Sequence, residues 1–361
     1  MSSPTQLFHF QIFMMRNTLH HIPRSPSLRA RRGPLLPPAC RLICAVRRVE
    51  GRIGVGDFRK EALEKDEPLL IKEQAEALPA MTKWFSSHPV PRTISKTAPA
   101  LSDYFTHEFD VKTVPYELTV PTWRPRGFDG DNIDRFISWM AKTQTAWPHL
   151  YLSSHLHNVK QQLGHEYDEN HRFLLFEAPI SLMSAALRYN ATKVSFQRVT
   201  QLYIAQAPIS DLPKALQEDL ATPDIVLKAG KGDVYGSSIW LGLEPTYTPW
   251  HCDPNPNYFC QIYGKKVVRL LPPGLGKSLF RKVQAELGQT GSSTIRGDEM
   301  MQGAERTLLT EKVWTEEAPE EIMEVEVAQG DSLFIPKGWW HSVKSADYKG
   351  DLNGSVNWWF R

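Results

Sequence analysis

The sequence predicts a mainly β fold with flanking α-helices, most of them in the N-terminal part of the chain. Runs of aromatic and β-branched residues cluster over residues 236–272 and return after residue 321, a distribution typical of strands. Segments with helical spacing lie mainly before residue 230. With 41% hydrophobic and 11% aromatic residues, the chain of 361 residues has enough apolar material for one large core.

The N-terminal part, about residues 50–230, is expected to be largely helical. A helix over residues 131–140 is predicted because apolar residues recur there at helical spacing. Asp57 is a candidate N-cap for an earlier helix, since its carboxylate can accept hydrogen bonds from the first free backbone amides. The other elements expected here are a helix over 57–63, a strand over 68–72, and short helices over 73–78 and 212–220.

The C-terminal part, about residues 231–361, is expected to form a barrel. The run over 257–273 is broken at Gly264, which predicts a hairpin. Residues 288–320 are polar and charged, and we interpret them as an insertion between barrel strands, either a substrate lid or a surface loop without function. The remaining predicted elements are a helix over 278–287 and strands over 322–327, 332–335, 342–344 and 355–360. This distribution predicts a double-stranded β-helix, the jelly-roll.

Two histidines and a carboxylate stand out in the predicted barrel. His251 and Asp253 are two positions apart, so both side chains project to one face of an extended strand, while Cys252 projects to the other. His341 follows much later, after Trp339-Trp340. Two histidines and one carboxylate on one face of a metal ion leave the opposite face open, which suits non-heme Fe(II). The tripeptide alone is a weak signal, because a lone histidine is more often structural than a ligand.

Lys266 is the second candidate, and it is argued from strand parity. If Val268 and Leu270 face the interior, Lys266 does too, while Arg269 faces outward. A lysine inside the mouth of a barrel is costly unless an anion neutralises it, and a dicarboxylic acid bound to the metal is a natural partner. The alternative is that Lys266 lies at the rim and extends its ammonium group into water. Periodicity alone does not separate the two.

Several motifs in a fixed order then resemble a known family. The matching segments are Thr248-Pro249-Trp250-His251-Cys252-Asp253, Asn257-Tyr258-Phe259, Gly264-Lys265-Lys266, Leu271-Pro272-Pro273, Gly330-Asp331-Ser332-Leu333-Phe334-Ile335-Pro336 and Trp339-Trp340-His341. Together they resemble a JmjC domain of the cupin superfamily. The likeness is closer to the small JmjC-only 2-oxoglutarate oxygenases, the group that contains the factor-inhibiting-HIF asparaginyl hydroxylase and the JMJD5-type hydroxylases. It covers about residues 50–361.

The resemblance implies a role for each matching position. His251, Asp253 and His341 match the iron ligands of the family. Lys266 matches a lysine that pairs with the distal carboxylate of 2-oxoglutarate. The other matches are Thr248 and Tyr203, hydroxyl groups that bond the same carboxylate, Asn257 and Asn357, which line the metal pocket, and Trp240, an aromatic residue near the site that is expected mainly to pack.

The implied activity is that of a dioxygenase that uses Fe(II), 2-oxoglutarate and O₂ and releases succinate and CO₂. The JmjC-only layout, and H-x-D where most demethylases of the family have H-x-E, favour hydroxylation of a protein side chain. A lysine demethylase is the main alternative, and a tRNA-base hydroxylase or a non-enzymatic metal-binding cupin are further ones. The complete ligand set with Lys266 and Thr248 disfavours the non-enzymatic cupin.

The first 49 residues differ from the rest in charge. They contain eight arginines and no acidic residue, so the remainder carries 34 basic against 40 acidic side chains. A net acidic body supplies no general field for binding phosphates, so nucleic acid is not an expected partner. An Arg-rich, acid-free leader is typical of a mitochondrial transit peptide, and a disordered basic tail or an extension from a misplaced start codon are the alternatives. The expected location is intracellular, in the mitochondrion if the leader is a transit peptide and otherwise in the nucleus or cytoplasm.

Other sequence features set limits on the class of protein. No window holds about twenty unbroken apolar residues, so no membrane span is expected. The four cysteines form no C-x₂-C pair and suggest neither a zinc site nor a disulfide framework. The sequence ends just after the last predicted strand, without a helical pair for dimerisation, so a monomer is favoured.

Overall fold

The computed structural model describes residues 44–89, 97–121, 132–143, 149–162, 171–200, 202–289 and 300–361. The strands are β1 (Cys44–Ala45), β2 (Arg47–Val49), β3 (Leu69–Ile71), β4 (Phe85–Pro89), β5 (Thr97–Leu101), β6 (Thr113–Pro121), β7 (His171–Pro179), β8 (Leu202–Pro208), β9 (Val234–Leu243), β10 (Tyr247–Cys252), β11 (Asn257–Tyr263), β12 (Lys265–Leu271), β13 (Met323–Ala328), β14 (Ser332–Ile335), β15 (Trp340–Ser345) and β16 (Leu352–Phe360).

The α-helices are α1 (Val55–Phe58), α2 (Ala80–Lys83), α3 (Asp103–Phe109), α4 (Asn132–Thr143), α5 (His149–Gln162), α6 (Ser181–Ala191), α7 (Lys214–Asp219), α8 (Asp224–Lys228), α9 (Pro273–Glu286) and α10 (Gly303–Trp314). A π-helical turn over Arg59–Leu63 follows α1, and short 3₁₀ turns cover Gln74–Ala77, Ser195–Gln197 and Ile209–Asp211. In the part of the chain that the structure describes, no helix has both the length and the apolar character needed to cross a membrane.

Two sheets form the core of the fold. One has five strands in the order β1-β13-β12-β15-β10, and the other has nine in the order β2-β3-β14-β11-β16-β9-β8-β6-β7. From β9 onward the chain supplies strands to both sheets, as the predicted jelly-roll requires. An apolar cluster joins them, with Val268 and Leu270 of the five-stranded sheet beside Phe259 and Leu333 of the nine-stranded one. The jelly-roll prediction is confirmed.

The helices cover the other face of the nine-stranded sheet. In β11, all residues except the last are buried, because one face points between the sheets and the other packs under the helices. Strands buried on both faces lose the alternation of apolar and polar residues. A separate cluster on the five-stranded sheet, centred on Trp250 and Trp340, packs under α9 and α10.

The predicted hairpin at Gly264 is wrong. β11 pairs with β14 and β16, whereas β12 pairs with β13 and β15 in the other sheet. Gly264 has φ +69°, a conformation that favours glycine, and it turns the chain from one sheet into the other. A break between two apolar runs marks a turn, but it does not say whether the second run pairs with the first.

Three boundaries of the predicted organisation change. The part expected to be helical, 50–230, contains the predicted strand over 68–72 as β3, and it also supplies β4 to β8, of which β6, β7 and β8 extend the nine-stranded sheet. The insertion at 288–320 contains α10, and residues 290–299 lie outside the described residues. Residues 44–49 of the expected leader form β1 and β2, which pair in parallel with β13 and β3. Residues 1–43 lie outside the described residues, so their interpretation as a leader stays a prediction.

Candidate metal centre and anion site

The inner face of the five-stranded sheet carries the candidate residues in successive rows. Lys266 is paired with Ser345, and Val268 two positions on is paired with Val343. Leu270 is paired with His341, which in turn faces His251. Because side chains two apart share a face, the buried Lys266 and His341 lie on the same inner surface, at two levels of the barrel.

A β-bulge brings Thr248 to this surface as well. Thr248 and His251 are three positions apart, so a regular strand would point them to opposite faces. Their partners on β15, Val343 and His341, are only two apart, and the register shifts between the two pairs. The extra residue in β10 places Thr248 at the middle level, between the levels of His251 and Lys266.

The two histidines and Asp253 converge. Each offers a ligand atom, and these atoms all lie within 4.8 Å of one another. His251 Nε2 is 3.8 Å from Asp253 Oδ1, and His341 Nε2 is 3.6 Å from Asp253 Oδ2. His341 is buried, whereas the side chain of His251 keeps 24% of its surface exposed. The side of the centre at His251 is therefore the more exposed to solvent.

Backbone carbonyls fix which nitrogen of each ring faces the centre. His251 Nδ1 lies 2.8 Å from the carbonyl oxygen of Pro249, and His341 Nδ1 lies 3.1 Å from that of Trp339. A carbonyl oxygen only accepts hydrogen bonds, so each Nδ1 is the protonated donor. The lone pair of each Nε2 is then free for a metal ion, the arrangement found at histidine metal sites.

The carboxylate of Asp253 is held in place by a chain of amides. Asn257 Nδ2 donates to Asp253 Oδ2 over 2.8 Å, and Asn357 Nδ2 donates to Asn257 Oδ1 over 3.2 Å. Trp240 Nε1 completes the chain by donating to Asn357 Oδ1 over 2.7 Å. Burial opposes ionisation of Asp253, but His341 and His251 outweigh it, so the pKa of this carboxyl is lowered. Asp253 therefore carries a negative charge toward the centre.

Lys266 is buried, with 2% of its surface exposed, so its predicted inward orientation is confirmed and the alternative of a rim lysine is wrong. Its Nζ donates to Tyr203 Oη over 3.0 Å and to Ser355 Oγ over 2.9 Å, both across from the other sheet. Among the described residues no carboxylate lies within ion-pair distance of Lys266. Burial without an anion lowers the pKa of the Lys266 ammonium to about 7.

The structure brings together all eight residues that the sequence singles out for the site. Three belong to the metal centre, three to the lysine region, and Asn257 and Asn357 extend inward from Asp253. Sequence reasoning missed Ser355, and it gave Trp240 a packing role where the indole also donates a hydrogen bond. Ser355 had one available signal, because it lies two positions before Asn357 on the same strand and so shares its face.

The residues present fit a single divalent transition metal ion. Two neutral imidazoles and one carboxylate form the donor set of non-heme Fe(II) oxygenase sites, and their ligand atoms point at one shared position. The buried, positively chargeable Lys266 matches a dicarboxylate co-substrate such as 2-oxoglutarate.

Comparison with known proteins agrees with this geometry. A family model described as a cupin-like domain matches residues 56–361. The protein called lysine-specific demethylase JMJ30 of Arabidopsis thaliana is 29% identical over 228 residues, which cover 62% of this chain and 47% of the relative. Lysine-specific demethylase 8 of Danio rerio is 29% identical over 159 residues, covering 44% of this chain and 36% of the relative.

A third relative, Jumonji C domain-containing protein 5 of Drosophila melanogaster, is 30% identical over 146 residues, covering 40% of this chain and 33% of the relative. In each case the matched region spans less than half of the relative's length.

Proposed function

This chain belongs to the cupin-like family, and from this premise we propose that it is a JmjC-domain oxygenase that uses Fe(II), 2-oxoglutarate and O₂, and that it hydroxylates a carbon atom of a protein side chain with release of succinate and CO₂. The observation that supports this most strongly is a His-Asp-His centre and a buried lysine that, among the described residues, has no anionic partner, both on the inner face of the five-stranded sheet. The centre attracts a divalent cation and the lysine attracts an anion, so a dicarboxylate that chelates the bound cation can also neutralise the lysine.

His251, Asp253 and His341 would hold the iron, and the bound metal with its co-substrate supplies the oxidising power needed to attack an unactivated C–H bond. The contribution of the chain is orientation. The Pro249 and Trp339 carbonyls keep both Nε2 atoms directed at the metal position, and Asn257 keeps one oxygen of Asp253 from rotating away.

Lys266 would bind the far carboxylate of 2-oxoglutarate by a charge-assisted hydrogen bond. Tyr203 and Ser355 accept from the same ammonium group and so fix where its remaining proton points. Burial raises the pKa of Tyr203 well above its usual range, so the phenol stays protonated and can itself donate to the carboxylate. Thr248 adds a hydroxyl group from the level between Lys266 and the metal centre.

Demethylation of a lysine side chain is the second candidate. Its support is that two of the relatives above bear the name lysine-specific demethylase. Demethylation begins with hydroxylation of an N-methyl carbon, so the same centre serves both reactions. The substrate that enters past His251 decides between them.

The experiment that separates the candidates uses the full chain with Fe(II), 2-oxoglutarate, O₂ and pools of peptides, some carrying methyllysine. Succinate release and peptide mass are followed together, and the His251→Ala variant is the control. A peptide that gains and keeps one oxygen atom supports hydroxylation. Loss of a methyl group with release of formaldehyde supports demethylation. If a protein that has bound iron releases no succinate, both enzymatic candidates are wrong and the chain is a metal-binding cupin. If it oxidises a tRNA base and no peptide, the proposed protein substrate is wrong.

A further inference from the structure

Helix α10 lies on the outside of the five-stranded sheet and is fastened there by its last residue, Trp314. The Trp314 ring lies close to two cations of the outer face, with Lys344 Nζ 4.0 Å and Arg269 Cζ 4.9 Å from the ring centroid. Arg269 also donates to the carbonyl oxygen of Val313 over 2.6 Å, at the C-terminal end of the helix, where a cation is favoured. Two contacts to the indole and one to the neighbouring backbone therefore fix this end of the helix on the sheet.

The indole continues into a directed chain of hydrogen bonds. Trp314 Nε1 donates to Ser342 Oγ over 3.0 Å, and Ser342 Oγ donates to the carbonyl oxygen of Thr248 over 2.7 Å. Ser342 is fully buried, so no water competes for its hydroxyl group. Because the indole can only donate, the serine proton must point at Thr248, and each bond strengthens the other.

The chain of hydrogen bonds ends at the Thr248 carbonyl, where the strand pairing of β10 is irregular. Among the strands that the structure describes, β10 is at the edge of its sheet and pairs on one side only, with β15. The bulge between Thr248 and His251 interrupts even that pairing. The Ser342 hydroxyl group supplies a fixed contact to the backbone of Thr248, whose side chain points to the inner face toward the level of Lys266.

We propose that Trp314 is a positioning residue for the co-substrate: through Ser342 it fixes the backbone at Thr248, so that the Thr248 hydroxyl group meets the far carboxylate of 2-oxoglutarate. This rests on the proposed function, in which Thr248 contacts that carboxylate. A helix in the segment that we interpret as an insertion thus takes part in co-substrate binding from the far side of the sheet, without touching the ligand.

The first test compares Trp314→Phe with Thr310→Val. The phenylalanine keeps a ring for Lys344 and Arg269 and removes only the N–H donor. Thr310 Oγ1 donates to the Arg306 carbonyl, so it accepts from Tyr247 Oη over 2.8 Å. Thr310→Val removes this other hydrogen bond between α10 and β10 and is therefore the matched control. The probe is 2-oxoglutarate with Mn(II) in place of iron, so that binding is measured without turnover, by equilibrium titration and by the rise in melting temperature.

Loss of one hydrogen bond in the chain is expected to weaken 2-oxoglutarate binding about five-fold in Trp314→Phe. Mn(II) affinity and the melting temperature of the protein without ligands should stay close to the wild type. Thr310→Val should bind 2-oxoglutarate as the wild type does. If Trp314→Phe does not fold, Ser342→Ala breaks the same chain at its centre and takes its place.

A double-mutant cycle then decides whether the effect passes through Thr248. In a Thr248→Val background the Trp314→Phe change should have no further effect on 2-oxoglutarate affinity, because the hydroxyl group that it positions is gone. Additive effects would overturn the proposal, and so would equal weakening in Trp314→Phe and Thr310→Val, which would indicate loss of helix docking alone. A wild-type protein that binds Mn(II) but no 2-oxoglutarate would overturn the proposed function itself.

Discussion

The metal end of the inner face, with His251, Asp253 and His341, and the lysine end, with Lys266, differ in how their side chains are held. At the metal end every ligand side chain already has a partner that fixes it: a carbonyl for each histidine and Asn257 for Asp253. At the lysine end the described residues offer the Lys266 ammonium two neutral hydroxyl groups and no carboxylate, and burial lowers its pKa to about 7. The ligand atoms of one end are fixed by hydrogen bonds, whereas the charge at the other end is not neutralised.

The difference indicates that the metal end is pre-organised to bind an ion, whereas the lysine end favours an anionic ligand. The hydrogen bonds at the metal end hold its ligand atoms within 4.8 Å of one another. The unsatisfied end gains most from a particular partner, because only an anion restores the ammonium group to its ordinary charge state. The formal charges of Fe(II) and Lys266 cancel those of Asp253 and a bound dicarboxylate, so the two ends balance only when both ligands are present.

The largest effect is expected at the metal end. His251→Ala or Asp253→Ala should lower turnover by about 1,000-fold or more, because a two-ligand site no longer holds the metal against water. Metal content, measured on the purified variants, should fall in parallel while circular dichroism stays unchanged. Cys252→Ala is the control, since Cys252 lies between the two ligands but belongs to the apolar cluster under α9. Retained turnover in both ligand variants would remove the assigned triad.

The next effect separates two adjacent lysines. Lys266→Ala should raise the 2-oxoglutarate concentration needed for half-maximal turnover by about 100-fold, because a buried charge-assisted bond is lost. Lys265→Ala should leave it unchanged, since Lys265 is exposed and pairs with Glu326 on the outer face. Titration of succinate release against 2-oxoglutarate measures both. An equal response of the two variants would mean that the anion binds elsewhere.

The smallest effect concerns pH and tests the unsatisfied charge itself. In the free protein the pKa of Lys266 is about 7, and a bound dicarboxylate holds the ammonium protonated, so above that pH binding must take up a proton. The affinity for 2-oxoglutarate should therefore be flat at lower pH and fall by up to about tenfold per pH unit above about pH 7. Titration with Mn(II) present, across that range, gives the slope. In Lys266→Met the slope should disappear, and its persistence there would assign the proton to another group.

Much of the site could be predicted from the sequence because strand parity is a strong constraint. It placed His251 with Asp253, and Lys266 with Val268 and Leu270, on shared faces. It could not place Thr248, since a bulge reverses parity and leaves no mark in local composition. Only the family resemblance pointed to that residue. Ser355 was missed although its parity with Asn357 placed it on the same face, because no motif singled out the serine itself.

The fold shows the same limit on a larger scale. The jelly-roll was predictable, whereas β6 and β7 were not, because in β7 the run Phe173-Leu174-Leu175-Phe176 has no alternation although Leu175 is exposed. Helix α10 was missed because few of its residues, Leu309 and Val313 among them, enter the apolar cluster, and its other contacts are hydrogen bonds and ring–cation contacts to the sheet. Tertiary contacts of this kind are decided by the partner strand, which a local sequence window does not contain.

The register of β12 sets the distance between Lys266 and the metal centre, and so the length of an acid that can contact both. Lys266 and Leu270, the residue paired with His341, are four positions apart, which is about 13 Å of strand. The Lys266 side chain crosses to Tyr203 and Ser355 of the other sheet, so the acid itself must bridge the distance from the ammonium group to the metal centre. A shorter dicarboxylate that reached the metal would leave its second carboxylate away from the ammonium group, however well its charge matched. The pairing of β12 with β15 thus sets the length of the dicarboxylate that can contact both the metal centre and Lys266.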